Sequence, residues 1–342
     1  MQNVMKIGIL GAGTWGIALA RMLCNADNEV TVWSAIESEI DILSTTGRHP
    51  GFPDVPLPTR IGYTKQIGEA CSGMDIIVFA VPSPFVRATA KKAAPYIVDG
   101  QIIVDVAKGI ESETLYTMTE IIADELQNPK VKLVVLSGPT HAEEVIKDLP
   151  TAIISASNDG EAAATVQKVF SVGCMRAYTN DDVYGVELCG ALKNVIALAC
   201  GVATGLGCGD NAKAALITRG IAEISRLGTA MGCREQTFGG LAGIGDLIVT
   251  ATSMHSRNNR CGMLIGQGVS VDQAIEQVGM VVEGINALPA VMKLAQKYSV
   301  EMPIVNAVDA VCSGKMVASA AISMLISREL KSELSSSAFN QV

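Results

Sequence analysis

The sequence predicts an α/β chain with a doubly wound, mainly parallel sheet in its N-terminal half and an all-helical C-terminal half. Three observations carry this expectation. Short runs rich in Val and Ile alternate with helix-length segments up to about residue 181, strand signals then stop, and the first strand runs into a glycine-rich turn followed at once by a helix. At 342 residues and 49% hydrophobic content the chain is long enough for two cores, because single cores stop growing near ~250–300 residues.

The expected strands are Val4–Leu10, Glu29–Trp33, Asp75–Val81, Gln101–Ala107, Lys132–Gly138, Thr151–Ser157 and Met175–Thr179. Between them, Thr14–Cys24, Ser83–Ala94 and Ser112–Leu126 have the length and periodicity of covering helices. Gly47–Pro58, with four prolines among polar residues, reads as a loop beside the sheet. From about Asp181 the pattern is helix upon helix to about Leu334. The expected organisation is a dinucleotide-binding unit over 1–181, a helical substrate and catalytic unit over 182–334, and a frayed polar tail over 335–342.

A net charge of −8 with no basic run argues against a nucleic-acid partner, so any anionic substrate has to be held by a few cations in one cleft. The nine cysteines include no Cys-x-x-Cys pair and suggest neither zinc nor a disulfide framework; they read as reduced thiols of a cytoplasmic protein. The N-terminus reads as a strand rather than a signal peptide. The apolar stretch Val183–Leu206 carries Glu187, Lys193 and Asn194 inside it, which lipid would penalise, so a buried helix and no membrane insertion are expected.

The glycine-rich turn is Gly11-Ala12-Gly13-Thr14-Trp15-Gly16, the spacing G-x-G-x-x-G between a strand and a helix. Gly11 permits the tight turn, Gly13 lets the backbone approach a pyrophosphate, and Gly16 lets the helix pack on the strand. Alone the motif is weak; between a strand and a helix it points to a Rossmann-type sheet that takes a dinucleotide, with a glycine-rich structural turn as the plainer alternative. The second strand, however, ends at Trp33 and is followed by Ser34 and Ala35. Neither the carboxylate that holds the ribose of NAD nor an Arg for the 2′-phosphate of NADP stands directly there. Glu37 is the nearest carboxylate, which leans towards NAD and leaves NAD or NADP open.

Three further groups carry chemistry. Lys108 follows the fourth strand, and Ser137-Gly138-Pro139-Thr140 follows the fifth, offering N–H groups and a hydroxyl to an anion where open sheets bind ligands. A solvated lysine and a capping turn are the plainer alternative. Lys193, in Gly190-Ala191-Leu192-Lys193-Asn194, is the only charged side chain between Glu187 and Asp210. Desolvation would lower its pKa and suit it to exchange a proton with a carbonyl oxygen; a snorkelling or salt-bridged lysine is the alternative. Asp246 sits in flexible Gly243-Ile244-Gly245-Asp246, and Ser256-Arg257-Asn258-Asn259-Arg260 offers a capping hydroxyl and two cations for a phosphate, or simply a row of surface arginines. His49, His141 and His255 show no metal-ligand spacing and stay outside the expected site.

Taken in order, these motifs with Ala80-Val81-Pro82-Ser83, Leu216-Ile217-Thr218-Arg219-Gly220 and Val281-Val282-Glu283-Gly284 resemble the bacterial NAD(P)-dependent glycerol-3-phosphate dehydrogenases over about residues 5–330. The resemblance implies reversible reduction of dihydroxyacetone phosphate to sn-glycerol 3-phosphate for phospholipid synthesis, in a cytoplasmic homodimer. It implies Lys193 as proton donor and acceptor, oriented by Asp246 and Asn194. It further implies a substrate site of Lys108, Gly138, Thr140, Lys193, Asp246, Ser256, Arg257 and Asn258. Thr14, Trp15, Ala142, Val281 and Glu283 would contact the dinucleotide beside Gly11, Gly13 and Gly16, with Lys108 and Arg257 near both ligands. Ala35 departs from the family, where an Arg or His commonly follows the second strand. The rival readings are a related reductase of another small hydroxy acid and a non-catalytic dinucleotide sensor.

Overall fold

The computed structural model describes residues 4–330 and 332–333. The tail expected over 335–342 lies outside the described residues. Eight strands form one sheet: β1 (Lys6–Leu10), β2 (Glu29–Trp33), β3 (Gly62–Thr64), β4 (Ile76–Phe79), β5 (Ile102–Asp105), β6 (Lys132–Ser137), β7 (Thr151–Ala156) and β8 (Met175–Asn180). Their spatial order is β3-β2-β1-β4-β5-β6-β7-β8. The first six strands are mutually parallel, and β7 and β8 run the other way, with the antiparallel joint between β6 and β7. The strand order reverses direction between β1 and β4, which opens a crevice at their carboxyl ends. Strands β4 and β5 are buried along their whole length, as continuous Ile/Val runs require when both faces are covered.

Two expectations change. The short edge strand β3 escapes a pattern search because it offers three residues, Gly62-Tyr63-Thr64, with no alternation to read. The helix expected over Ser112–Leu126 starts only at Met118: Leu115 takes a left-handed φ of 64°, and the Thr117 N–H donates to the Glu120 carboxylate at 2.8 Å, closing the helix start there.

After Asn180 no strand occurs among the described residues. The helix Val183–Gly205 is the hub of this half, capped by the Asp182 side chain, which accepts from the Gly185 N–H at 3.1 Å. It has the length and hydropathy of a membrane span, yet its most apolar window is wholly buried against protein. Helices Asp210–Ala230, Asp246–Thr252, Arg257–Gly266 and Glu283–Lys297 surround it. Val186 packs with Val135, Ile154 and Ala156 of the sheet, so the helix rests directly on β6 and β7.

One crossing is closer than side chains allow. A Cβ at Gly201 would lie 2.1 Å from the Asn259 carbonyl oxygen, one at Gly205 2.2 Å from that of Met263, one at Gly262 2.2 Å from that of Leu198, and one at Gly266 2.3 Å from that of Val202. Two glycine pairs at i, i+4 therefore bring helices Val183–Gly205 and Arg257–Gly266 together backbone to backbone. That contact fixes Arg257 and Asn258 relative to Lys193 and Asn194.

Candidate active site

The three glycines of the turn have three distinct physical reasons. Gly11 has φ +129°, and a Cβ there would sit 2.5 Å from the Ala80 carbonyl oxygen of the turn after β4. A Cβ on Gly16 would meet the Gly11 oxygen at 2.1 Å. A Cβ on Gly13 would meet nothing within 4 Å, so the space over this residue is open. Helix Thr14–Asn25 begins beside that space, and no side chain caps its first N–H groups. Open volume, unpaired donors and the positive end of a helix dipole suit a pyrophosphate, so the residues present fit a dinucleotide.

From the turn a cleft of about 290 Å³ runs between sheet and helices. Its sheet side includes Gly13, Thr14, Trp15, Lys108, Thr140 and Ala142. Its helical side includes Lys193, Asn194, Ser256, Arg257, Asn258, Val281 and Glu283. Gly11, Gly16, Gly138 and Asp246 stand behind this lining rather than in it. A larger, mainly apolar hollow of about 890 Å³ lies elsewhere, around Leu216, Arg219, Glu223 and Ile304, and contains none of these groups.

Lys193 is 5% exposed and ion-paired. Its Nζ donates to Asp246 Oδ1 at 2.5 Å and to Thr250 Oγ1 at 2.6 Å. Lys108 Nζ reaches the other carboxylate oxygen, Oδ2, at 2.6 Å, and also donates to the Gly138 carbonyl at 3.1 Å and to Thr140 Oγ1 at 3.3 Å. Asp246, 1% exposed, is thus shared by two ammonium groups. Burial pushes its carboxyl up, but the two lysines outweigh burial and hold it below the ordinary Asp value. Burial takes the Lys193 pKa down to about 7; Asp246 works against this and the neighbouring charge of Lys108 adds to it.

Asn194 and Asn258 lock the helical wall. Asn258 Nδ2 donates to Asn194 Oδ1 at 2.9 Å, Asn194 Nδ2 donates to the Gly190 carbonyl at 3.1 Å, and the Gly284 N–H donates to Asn258 Oδ1 at 2.8 Å. Ser256 caps its helix as expected, its Oγ accepting from the Asn259 N–H at 3.2 Å. The Arg257 guanidinium lines the cleft with no side-chain hydrogen bond among the described residues, and Arg260 leaves its buried Nε unpartnered. Two guanidinium groups beside a cleft with donors to spare are suited to an anion. Glu283 accepts from the Ser83 N–H at 3.1 Å and the Ser83 hydroxyl at 2.5 Å, tying the turn after β4 to helix Glu283–Lys297.

Sequence reasoning missed Thr250 and Ser83 as members of the candidate site, while Arg260, the second of the two cations expected after Ser256, does line the cleft. Thr250 lies four residues after Asp246 on one helix face, which was a usable signal. His141, directly after Thr140, and His255, directly before Ser256, were left out as lone histidines; both line the cleft with ring centroids 5.9 Å apart. Nothing in their sequence neighbourhood announces that meeting. Glu37, the first carboxylate after the second strand, pairs with Lys65 at 3.5 Å and is exposed.

A sheet that reverses its strand order beside an uncapped, glycine-opened helix end, facing a buried amine poised near neutrality, defines a Rossmann-type nicotinamide-dependent oxidoreductase. Models of the NAD-dependent glycerol-3-phosphate dehydrogenase N-terminus and C-terminus match residues 6–163 and 182–323. The chain belongs to that glycerol-3-phosphate dehydrogenase family. It is 62% identical over 333 residues to a glycerol-3-phosphate dehydrogenase (NAD(P)+) of Lactobacillus delbrueckii subsp. bulgaricus, covering 96% of this chain and 99% of that one. It is 50% identical to one of Agathobacter rectalis, covering 97% and 98%. The crystal structure of glycerol-3-phosphate dehydrogenase from Coxiella burnetii superposes with a TM-score of 0.91 at 35% identity, over 95% of this chain and 99% of that one.

Proposed function

We propose that the chain interconverts dihydroxyacetone phosphate and sn-glycerol 3-phosphate, with residues 1–181 taking the dinucleotide and 182–334 supplying the substrate and acid–base groups. Bound NAD(P)H supplies the two electrons and the hydrogen that add to the ketone carbon. Gly11, Gly13, Gly16, Thr14 and Trp15 hold the pyrophosphate side of the cofactor; Ala142, Val281 and Glu283 close the cleft around it. Arg257, with Ser256, Asn258 and the turn at Gly138 and Thr140, binds the substrate phosphate. Lys193 gives its proton to the oxygen that becomes the hydroxyl, and takes it back in the reverse direction. Asp246 positions Lys193 and Lys108, and Asn194 fixes the wall that carries Asn258. Positioning and fixed charge supply most of the rate.

The observation that carries this reading is the buried Lys193 amine, held down to about 7 and opening on the cleft that begins at Gly13. Its test is dinucleotide oxidation with dihydroxyacetone phosphate, with dihydroxyacetone and with a phosphate-free ketoacid. Turnover of the phosphorylated ketone alone supports it; equal turnover of the ketoacid indicates a hydroxy-acid reductase, and none at all a sensor. A cytoplasmic homodimer feeding phospholipid synthesis belongs to the same reading, and light scattering on the purified chain checks its size.

A further inference from the structure

The end of β2 is where a Rossmann sheet sorts NAD from NADP, and here the residue directly after it is a serine. Ser34 is buried and donates its hydroxyl to Glu39 Oε2 at 2.6 Å, while the Ile36 N–H donates to the same hydroxyl oxygen at 3.1 Å. Ser34 follows Trp33, whose carbonyl accepts the Gly11 N–H at 2.8 Å. One buried hydroxyl therefore tethers the Glu39 carboxylate to the corner of the glycine-rich turn. The Pro-rich loop comes to the same corner: the His49 ring feels both the charge of Glu39 and the backbone of Ala12.

Glu39 keeps its second carboxylate oxygen without a hydrogen-bond partner among the described residues. Cations on the same helix-and-loop segment are turned elsewhere: Arg48 donates to the Pro53 carbonyl at 2.6 Å, and Lys65 is held by Asp41 at 2.8 Å and by Glu37. A tethered carboxylate with a free acceptor matches a ribose 2′-hydroxyl, which donates. It opposes a 2′-phosphate, which at neutral pH is mainly a dianion without a donor and carries like charge.

Resting on the dinucleotide reading above, we propose that Glu39, positioned by Ser34, is the specificity-determining carboxylate of this chain: it accepts the 2′-hydroxyl of NAD and excludes NADP. It takes over, from six residues further along and from the next helix, the role that a residue at the strand end would have.

The experiment reads binding directly. The two tryptophans, Trp15 and Trp33, flank the turn, so quenching of their emission by NADH and by NADPH gives a dissociation constant for each. The native chain is expected to bind NADH at least about tenfold more tightly. Glu39→Gln should bring the two constants within about threefold, chiefly by tightening NADPH, and Ser34→Ala should move the ratio the same way by less. Equal or tighter NADPH binding by the native chain overturns the proposal. So does an unchanged ratio in Glu39→Gln that keeps its native circular dichroism. Selective loss of NADPH binding in Arg48→Ala, from a chain that prefers NADPH, overturns it too, because Arg48 then serves the phosphate. NADH-selective binding by a chain inert towards dihydroxyacetone phosphate sustains this inference while overturning the substrate reading.

Discussion

Replacing Asp246 with Asn removes the one carboxylate that two buried or half-buried ammonium groups share. The Lys193 nitrogen lies 2.5 Å from one of its oxygens and the Lys108 nitrogen 2.6 Å from the other. Breaking a buried pair by removing one partner costs about 3–5 kcal/mol, because the remaining charge stays desolvated. The cost falls on the protonated form of Lys193 and, at about 1.36 kcal/mol per pH unit, lowers its pKa by roughly 2–4. Starting from about 7, the fraction of Lys193 able to give a proton near neutrality drops roughly a hundredfold to ten-thousandfold. The repulsion from Lys108, no longer shielded, acts in the same direction. Initial rates of dihydroxyacetone phosphate reduction across roughly pH 5–9, with cofactor binding followed by tryptophan quenching, measure this. Turnover should fall by that factor at neutral pH and recover towards acid, while cofactor affinity stays within about threefold. A folded Asp246→Asn variant whose rate still titrates near 7 at native turnover would refute the reasoning.

The native pH profile follows from the same group: reduction needs protonated Lys193, so its kcat/KM should decline as pH rises through about 7, and oxidation of glycerol 3-phosphate should rise over the same interval. Lys193→Ala should lose turnover in both directions by at least about a hundredfold and keep its cofactor affinity; near-native rates would remove the amine from the mechanism. Gly262→Ala places a Cβ 2.2 Å from the Leu198 oxygen, and urea unfolding should show a loss of about 3 kcal/mol, the upper end for an overpacked core, with reduced turnover as Arg257 moves away from Lys193. Burial pushes Glu187 and Glu223 up to about 7, so the folded chain keeps protons that the unfolded chain releases near 4.5. The stability those groups contribute is complete below about 4.5 and lost as pH rises to about 7; calorimetry should give a lower Tm at pH 8 than at pH 5, and a flatter dependence in Glu187→Gln and Glu223→Gln.

Much of the site was legible in the chain because its signals are local. Gly11, Gly13 and Gly16 each answer a steric demand set by the residues directly around the turn. Lys193 stands out because a single charge in an apolar helix has to be accounted for wherever that helix is buried. The capping role of Ser256 is likewise settled three residues away, at Asn259. The spacing Gly201-x-x-x-Gly205 and Gly262-x-x-x-Gly266 was equally visible, but a glycine pair announces a close approach without saying to what.

The sequence by itself therefore determined the strand and helix alternation, the nucleotide turn and the identity of the isolated amine, since each depends on neighbours along the chain. Only the tertiary structure decided that Lys108, Asp246 and Lys193, separated by up to 138 positions, form one ion triad, that β7 and β8 reverse, and that Glu39 rather than Glu37 faces the strand end. The physical reason is that the partner of a charge is chosen by how helices cross and which side of a turn is covered. Those choices are made by packing across the whole molecule, where contacts between distant segments outweigh the preferences of any one of them.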